Sequence, residues 1–440
     1  MHISLTRRKL RCGMLKRMVI DVLVVGSGSR EHALCWKLKQ SPRVGKIHIA
    51  PGNGGTNNVA ENVPIGVMEF EKLADFAEEK NIGLTIVGPD DPLGGGIVDV
   101  FQTRGLKVFG PTKAAAQIES SKAFAKQLMA EAGVPTAEFQ VFKDYEAARS
   151  YVNKKGVPIV IKASGLALGK GVYVCKTMEE AETGLKEIML DKQFGEAGNE
   201  VVIEEFLDGQ EISIHALCDG KNFILFPPSQ DHKQVGEGDT GPNTGGMGVI
   251  APVPWVASNA MKDIGETIVR PTLEALEKRG APYRGILYPG LKMTSKGPKV
   301  LEFNARFGQP ECEAYMRLLK TDLLDLCDAA IDGKVDQLKI EWNEGFAANI
   351  ILASGGYPGS YRKGLPITGI EEAEKMDGVV VFHAGTSVQG TSLNTASGRV
   401  LAVTAAGDSL KEALDRAYAA ADKIHFEGKY LRRDIGAKAL

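Results

Sequence analysis

Residues 159–174 read IVIKASGLALGKGVYV. A β-branched run, Ile159, Val160 and Ile161, ends at Lys162. Gly165, Gly169 and Gly171 then surround Lys170, and Val172, Tyr173 and Val174 resume an extended pattern. Strand, glycine loop and strand predict a hairpin carrying two lysines. Glycines let a backbone approach a ligand and turn several N–H groups toward it. Two ammonium groups beside such a loop suit a polyphosphate. This is not a Walker A loop, which needs G-x-x-x-x-G-K-[S/T] between a strand and a helix. Here Gly165 to Gly169 is one residue short, and a strand follows. The competing reading is a plain hairpin with a solvated glycine turn.

On the N-terminal side, residues 19–110 alternate strand and helix patterns. Strands are expected at 19–25, 46–50, 84–87 and 106–109, with a helix over 31–40. This rhythm predicts an α/β fold with a doubly wound parallel sheet. A helix follows over 120–132, with Phe124, Leu128 and Ala132 on one face and Gly133 and Pro135 as the stop. Residues 139–206 read as a small α+β lid holding the lysine hairpin and a helix near 179–190. Strands and helices return over 207–342. A last module opens at the glycine-rich turn 355–359, with strands at 379–382 and 399–404 and a helix carrying Leu410, Leu414 and Tyr418. The expected units are a basic extension (1–17), an N-terminal domain (18–116), a central domain with its lid (117–343) and a small C-terminal α/β module (344–440).

A chain of 440 residues exceeds the ~250–300 at which single cores stop growing, in keeping with several units. A net charge of −2 recommends neither nucleic acid nor an anionic membrane as partner. No apolar run reaches the ~18 residues of a membrane span. The cysteines at 12, 35, 175, 218, 312 and 327 form no CxxC pair and read as reduced thiols of a cytoplasmic protein. Residues 1–17 hold Arg7, Arg8, Lys9, Arg11, Lys16 and Arg17 with no acid. They read as a disordered extension or an early start codon, since Met18 directly precedes the first strand.

Four further segments carry chemistry. The loop 26–32, GSGSREH, begins like a dinucleotide fingerprint, but Glu31 takes the third glycine position and the second strand offers no acid for a ribose. It can still hold one phosphate at a helix start, with Arg30 adding a charge-assisted bond. Residues 201–211, VVIEEFLDGQE, supply an apolar slot for a base and carboxylates for ribose hydroxyls at Glu204, Glu205 and Glu211. Residues 299–304, KVLEFN, place Glu302 and Asn304 on one strand face, a hard-oxygen pair suited to Mg²⁺ beside phosphates. Residues 229–248, SQDHKQVGEGDTGPNTGGMG, form a polar loop long enough to suggest function, and Asp231, His232, Lys233, Asp239, Asn243 and Thr244 in it are suited to binding small polar substrates.

Together these segments resemble the ATP-grasp superfamily, and within it the phosphoribosylamine–glycine ligase family. GSGSREHAL, APGNGGT, TIVGPDDPL, GPTKAAAQIESSKAF, LEFNARFG and above all DTGPNTGGMG at 239–248 carry the likeness, in order from Met18 to the C-terminus. The resemblance implies an ATP-grasp core, with glycine and 5-phosphoribosylamine as substrates, ATP and Mg²⁺ or Mn²⁺ as cofactors, and a monomer. It implies a glycyl phosphate intermediate, then attack by the amine. Lys122, Lys162, Gly169 and Lys170 are expected on ATP, Glu204, Glu205 and Leu207 on adenine, and Glu211 on ribose. Glu302 and Asn304 are the implied metal ligands. Arg306, Lys170 and Asp239 are the implied catalytic residues. Gly28, Arg30, Glu31, Gly52, Asn53, Gly55, Thr56, Asp239, Asn243, Thr244, Gly245 and Met247 are expected on the substrates.

Two positions depart from the family pattern: Ser164 and Gln309 each replace an aspartate. The strand expected over 285–293 also lacks the acid that many ATP-grasp proteins offer a second ion. Three other readings follow from the residues: a carboxylating ATP-grasp ligase, a nucleotide sensor that has lost turnover, and a nicotinamide-dependent reductase. The 239–248 loop disfavours the first, and the missing third glycine and ribose acid disfavour the last.

Overall fold

The computed structural model describes residues 19–166 and 171–440. The expectations for residues 1–17, Gly169 and Lys170 lie outside the described residues. Five parallel strands form the first sheet, in the order Glu61–Asn62, Val44–Pro51, Ile20–Gly26, Leu84–Val87, Val108–Phe109. Val22, Leu23, Val24, Leu84 and Ile86 are fully buried, as continuous apolar runs in a sheet covered on both faces should be. Strand order reverses beside Ile20–Gly26. The loops after Gly26, Pro51 and Val87 leave neighbouring strand ends there, the usual place for ligands in an open α/β sheet.

The helix expected over 120–132 is present as Lys122–Ala132, and a separate helix, Lys113–Ser120, precedes it. Ser121 stands between them in extended conformation, its hydroxyl accepting from Phe124 N at 3.2 Å. The Lys122 N–H leaves the helix direction and donates to Ser164 O at 2.7 Å. A serine that caps the second helix therefore breaks the first. Gly133 closes the second helix at φ 69°.

The lid is a four-stranded antiparallel sheet, Phe139–Phe142, Val201–Glu205, Ile159–Ala163, Val172–Cys175, with helices Tyr145–Lys155 and Met178–Met189 packed on it. The lysine hairpin is present as its last two strands. The sheet facing it centres on Arg284–Thr294. That strand pairs with Gly297–Asn304 on one side and with Gln210–Ser213 and Ala216–Asp219 on the other.

The stretch expected as one polar loop, 229–248, is built differently. Its middle is a short hairpin, Gln234–Gly236 against Thr240–Asn243. Its ends, Gln230–Asp231 and Gly248–Ala251, join the C-terminal sheet in the order Gln230–Asp231, Gly248–Ala251, Phe346–Ala353, Arg399–Gly407, Val379–His383. The boundary expected at 343/344 is thus crossed by a sheet. Val249 and Ala251 are buried in an apolar strand that needs a partner, and the later strands provide it.

Arg432 fastens the hairpin. Its side chain is fully buried, donating to Gln234 O at 3.0 Å, to Asp434 at 2.7 and 2.8 Å and to Asp239 at 3.1 Å. Asp434 Oδ2 also accepts from Gly238 N at 2.8 Å. Against partial burial, which would raise it, Arg432 and Gly238 N–H hold the Asp434 carboxyl down at about 2. Arg432→Ala should cost on the order of 3 kcal/mol, because it leaves the half-buried Asp434 carboxylate without its cation and Gln234 O without its donor. The folded value lies below the ordinary aspartate value of about 3.9. The Asp434 contribution is therefore complete above that value and is lost as pH falls through about 2. Urea midpoints of both proteins between pH 7 and 2.5 should draw together toward the acid end. An unchanged midpoint at pH 7 would remove Arg432 from this role.

Candidate active site

A cavity of about 630 Å³ opens between the lid sheet and the sheet facing it, and runs on to the N-terminal loop at Gly28 and to Arg399 of the C-terminal sheet. Its apolar end is lined by Met129, Val160, Leu207 and Leu301. Glu205 lies beside them, accepting from Glu138 N at 3.0 Å and pairing with Lys299 at 2.7 Å. Glu211, on the strand that leaves the lid, pairs with Lys292 at 3.1 Å. An apolar slot rimmed by carboxylates is what a base and a ribose require.

The next stretch of wall is cationic. Lys162, from the hairpin strand, reaches Glu204 at 2.9 Å and Leu301 O at 3.0 Å. Lys126, from the helix that Ser121 caps, reaches the same carboxylate at 3.0 Å and Thr136 Oγ1 at 2.7 Å. Burial pushes the Lys126 ammonium down to about 8, against the pull of Glu204. Lys122 donates to Gly165 O at 3.1 Å, and burial lowers its ammonium as well. Glu204, only 2% exposed, is thus committed to two lysines.

Glu302 and Asn304 lie on one face of Gly297–Asn304, opposite Gly290 and Tyr288, and both line the cavity. Lys233 pairs with Glu302 at 2.9 Å and holds its carboxyl at about 2, so it is ionised at any working pH. Burial alone would lower the Lys233 ammonium, yet Glu302, Glu211 and Asp231 hold it above its usual range. One ionised carboxylate and one amide oxygen, with no thiol or imidazole beside them, fit a hard divalent ion that keeps water and phosphate ligands. No cluster of three or more acidic, histidine or cysteine side chains suited to a metal occurs among the described residues.

Arg306 follows on the same segment. It donates to Asn304 Oδ1 at 3.1 Å and pairs with Glu119 at 2.9 Å. Burial pushes the Glu119 carboxyl up to about 7, with Arg306 opposing. At the far end Gly28 and Arg30 line the cavity. Arg30 donates to Phe307 O at 3.2 Å and pairs with Glu31. Glu31 itself is buried and accepts from Gly28 N at 2.7 Å, so it shapes the loop instead of meeting a ligand. Asn243, Thr244 and Gly245 also reach the cavity.

Several expected residues lie elsewhere. Asp239, expected to be catalytic, does not line the cavity; it stands at φ 54° in the hairpin turn and is held by Arg432 and Lys438. Met247 is fully buried. Gly52, Asn53, Gly55 and Thr56 form a turn outside the cavity lining. Asn53 Nδ2 donates to Ser27 O and His383 O, both at 2.8 Å, and a Cβ on Gly55 would stand 2.1 Å from the His383 ring. That turn bolts the first sheet to the C-terminal one. The two departures are accommodated. Ser164 Oγ accepts from Ala123 N at 3.1 Å and donates to Glu200 at 3.2 Å, and Gln309 Nε2 donates to Ser29 Oγ at 2.7 Å.

Sequence reasoning missed Lys126, Glu119, Glu311 and Arg399, all of which line the cavity. Asp231 and Lys233, expected from the polar segment 229–248 to bind small polar substrates, line it too. Lys126 lies on a helix whose local pattern shows only an apolar stripe.

Family models described as the N domain, the ATP-grasp (A) domain and the C domain of phosphoribosylglycinamide synthetase match residues 20–119, 120–312 and 347–438. The phosphoribosylamine–glycine ligase of Vibrio cholerae is 48% identical over 424 residues, covering 96% of this chain and 99% of its own length. That of Pasteurella multocida is 50% identical over 424 residues, covering 96% and 98%. The crystal structure of the Thermotoga maritima phosphoribosylamine–glycine ligase superposes with a TM-score of 0.81 at 37% identity, covering 94% of this chain and all of that one. The biotin carboxylase domain of the Hydrogenobacter thermophilus 2-oxoglutarate carboxylase shares the fold alone, with a TM-score of 0.72 at 18% identity over 94% and 92% of the two chains. With relatives near half identity along almost its whole length and all three domain models in order, the chain belongs to the phosphoribosylglycinamide synthetase family.

Proposed function

We propose that the protein joins glycine to 5-phosphoribosylamine with ATP, giving glycinamide ribonucleotide, ADP and phosphate in purine biosynthesis. The observation that carries this reading is one cavity whose walls hold an apolar nucleotide slot, a lysine cluster, the Glu302–Asn304 oxygen pair and the Asn243–Gly245 tip of the motif shared with the family.

A glycine carboxylate oxygen attacks the γ-phosphorus, ADP departs, and glycyl phosphate forms. The amine of phosphoribosylamine then attacks the acyl carbon; phosphate leaves and the nitrogen gives up a proton. Phosphoryl transfer needs positioning and charge neutralisation more than covalent help. Lys122, Lys162 and Lys126 supply fixed positive charge, and Arg306, oriented by Glu119, faces the group in transfer. Gly169 and Lys170 belong to the same reading as ATP-binding residues. Glu302 and Asn304 would hold Mg²⁺ or Mn²⁺, which neutralises phosphate charge when bound. Leu207 and the strand end at Glu204–Glu205 take adenine, and Glu211 the ribose. Gly28, Arg30 and the loop near Asn243 take phosphoribosylamine. Asp239, Met247, Glu31 and the turn 52–56 support these loops from behind. Five free, buried cysteines at 35, 175, 218, 312 and 327 suit a reducing cytoplasm, and we expect a monomer.

The test is phosphate release from Mg-ATP with phosphoribosylamine generated in situ, glycine present or omitted. Release that needs both substrates and matches product one for one supports the reading; ATP binding without release contradicts it. Glu302→Ala should lower kcat more than about 100-fold at saturating Mg²⁺, an effect of the size seen when a principal electrostatic group is removed. Normal turnover would take Glu302 out of the metal site. Lys126→Met should raise KM for ATP roughly tenfold, about 1.4 kcal/mol, with kcat less affected. An unchanged KM would confine Lys126 to holding Glu204.

A further inference from the structure

Two carboxylates in the cavity have no role in the account so far. Asp231 ends the strand Gln230–Asp231 and lines the cavity, and its Oδ1 is buried without a hydrogen-bond partner. Glu311, 1% exposed, lines the same region. Its Oε1 accepts from Ser213 Oγ at 2.8 Å and Tyr288 Oη at 2.6 Å, both neutral donors.

The nearby cations are committed elsewhere. Lys233 pairs with Glu302 at 2.9 Å, and Arg399 donates to the carbonyls of Gly245, Gly246 and Gln309. Burial and the Glu311 carboxylate push the Asp231 carboxyl well above its usual range, against the opposing charges of Lys233 and Arg399. The local backbone accommodates this carboxylate specifically. Gly246 stands at φ 104°, and a Cβ there would lie 2.6 Å from Asp231 Oδ1. Gly246 of the 239–248 motif thus leaves room for Asp231, as its neighbour Gly245 does for Arg399.

We infer that Asp231, backed by Glu311, receives the α-ammonium group of the amino-acid substrate and so decides which carboxylic acid is activated. This rests on the ligase reading above. Glycine carries its ammonium and its carboxylate on one carbon. Lys233, two residues beyond Asp231, meets Glu302 at the phosphate corner. An ammonium on Asp231 therefore leaves the carboxylate toward that corner, where its oxygen must attack phosphorus. The amine of phosphoribosylamine is a poor occupant, because a nucleophile must be unprotonated and a pair of carboxylates holds a nitrogen protonated.

The test compares the full-length protein with Asp231→Asn and Glu311→Gln, measuring KM and kcat for glycine, ATP and phosphoribosylamine, with glycolate as the analogue lacking the ammonium. Absence of glycine-dependent product from the unmodified protein defeats the ligase reading itself. Given that product, Asp231→Asn should raise glycine KM about 50-fold, leave the other two KM values within about threefold, and lower the preference for glycine over glycolate by about 30-fold. Glu311→Gln should raise glycine KM about tenfold, and decides the matter if Asp231→Asn fails to fold. An unchanged glycine KM, an unchanged glycolate preference, or a loss that falls on phosphoribosylamine overturns the assignment.

Discussion

Four lysine ammonium groups, at 122, 126, 162 and 233, converge on one wall, and the fold must hold them against their own repulsion. Glu204 answers two of them and Glu302 a third. Lys122 is steadied by Gly165 O and by the fields of Glu302, Glu119 and Glu204. The wall is thus neutralised enough to fold and left positive enough to attract a polyphosphate. Buried ion pairs return little net stability once desolvation is counted. Their use here is to fix positive charge before a ligand arrives, so that little reorganisation is left for the reacting complex.

The architecture serves that wall. Glu204 and Lys162 lie on paired strands of the lid, Lys126 and Lys122 on a helix whose start Ser121 and Ser164 define, and Glu302 on the opposing sheet. Lys233 arrives from a segment anchored in the C-terminal sheet, and Arg399 of that sheet pins the glycines beside it. All the major units therefore contribute to one site. The polar turn at 52–56 and the Arg432 clasp hold the outer units in register without touching the cavity.

Much of this was legible in the sequence, for definite reasons. β-branched runs bounded by glycine marked the lysine hairpin. The two-residue period placed Glu302 and Asn304 on one face, and both do line the cavity. What local pattern cannot show is pairing across the fold. Lys126 meets Glu204, Arg306 meets Glu119 and Asp239 meets Arg432 only once distant segments are packed. Asp239, for example, is held by Arg432 and Lys438, neither of which its own loop reveals. Asp231 and Lys233, in the same segment, are legible as candidate binders of a polar substrate, but the pairing of Lys233 with Glu302 is not. The helix Lys113–Ser120 escaped because its alanine-rich stretch carries no apolar stripe of its own and Ser121, which separates it from the next helix, shows its capping role only in the structure.

The central claim is that this charged wall carries a phosphoryl group from ATP to a carboxylate oxygen before any amide forms. Turnover of glycine labelled with ¹⁸O in both carboxylate oxygens tests it directly, with the released phosphate analysed by mass. The account predicts one ¹⁸O in each phosphate, since the oxygen that attacked phosphorus departs with it. Phosphate free of label, formed alongside glycinamide ribonucleotide, would contradict it.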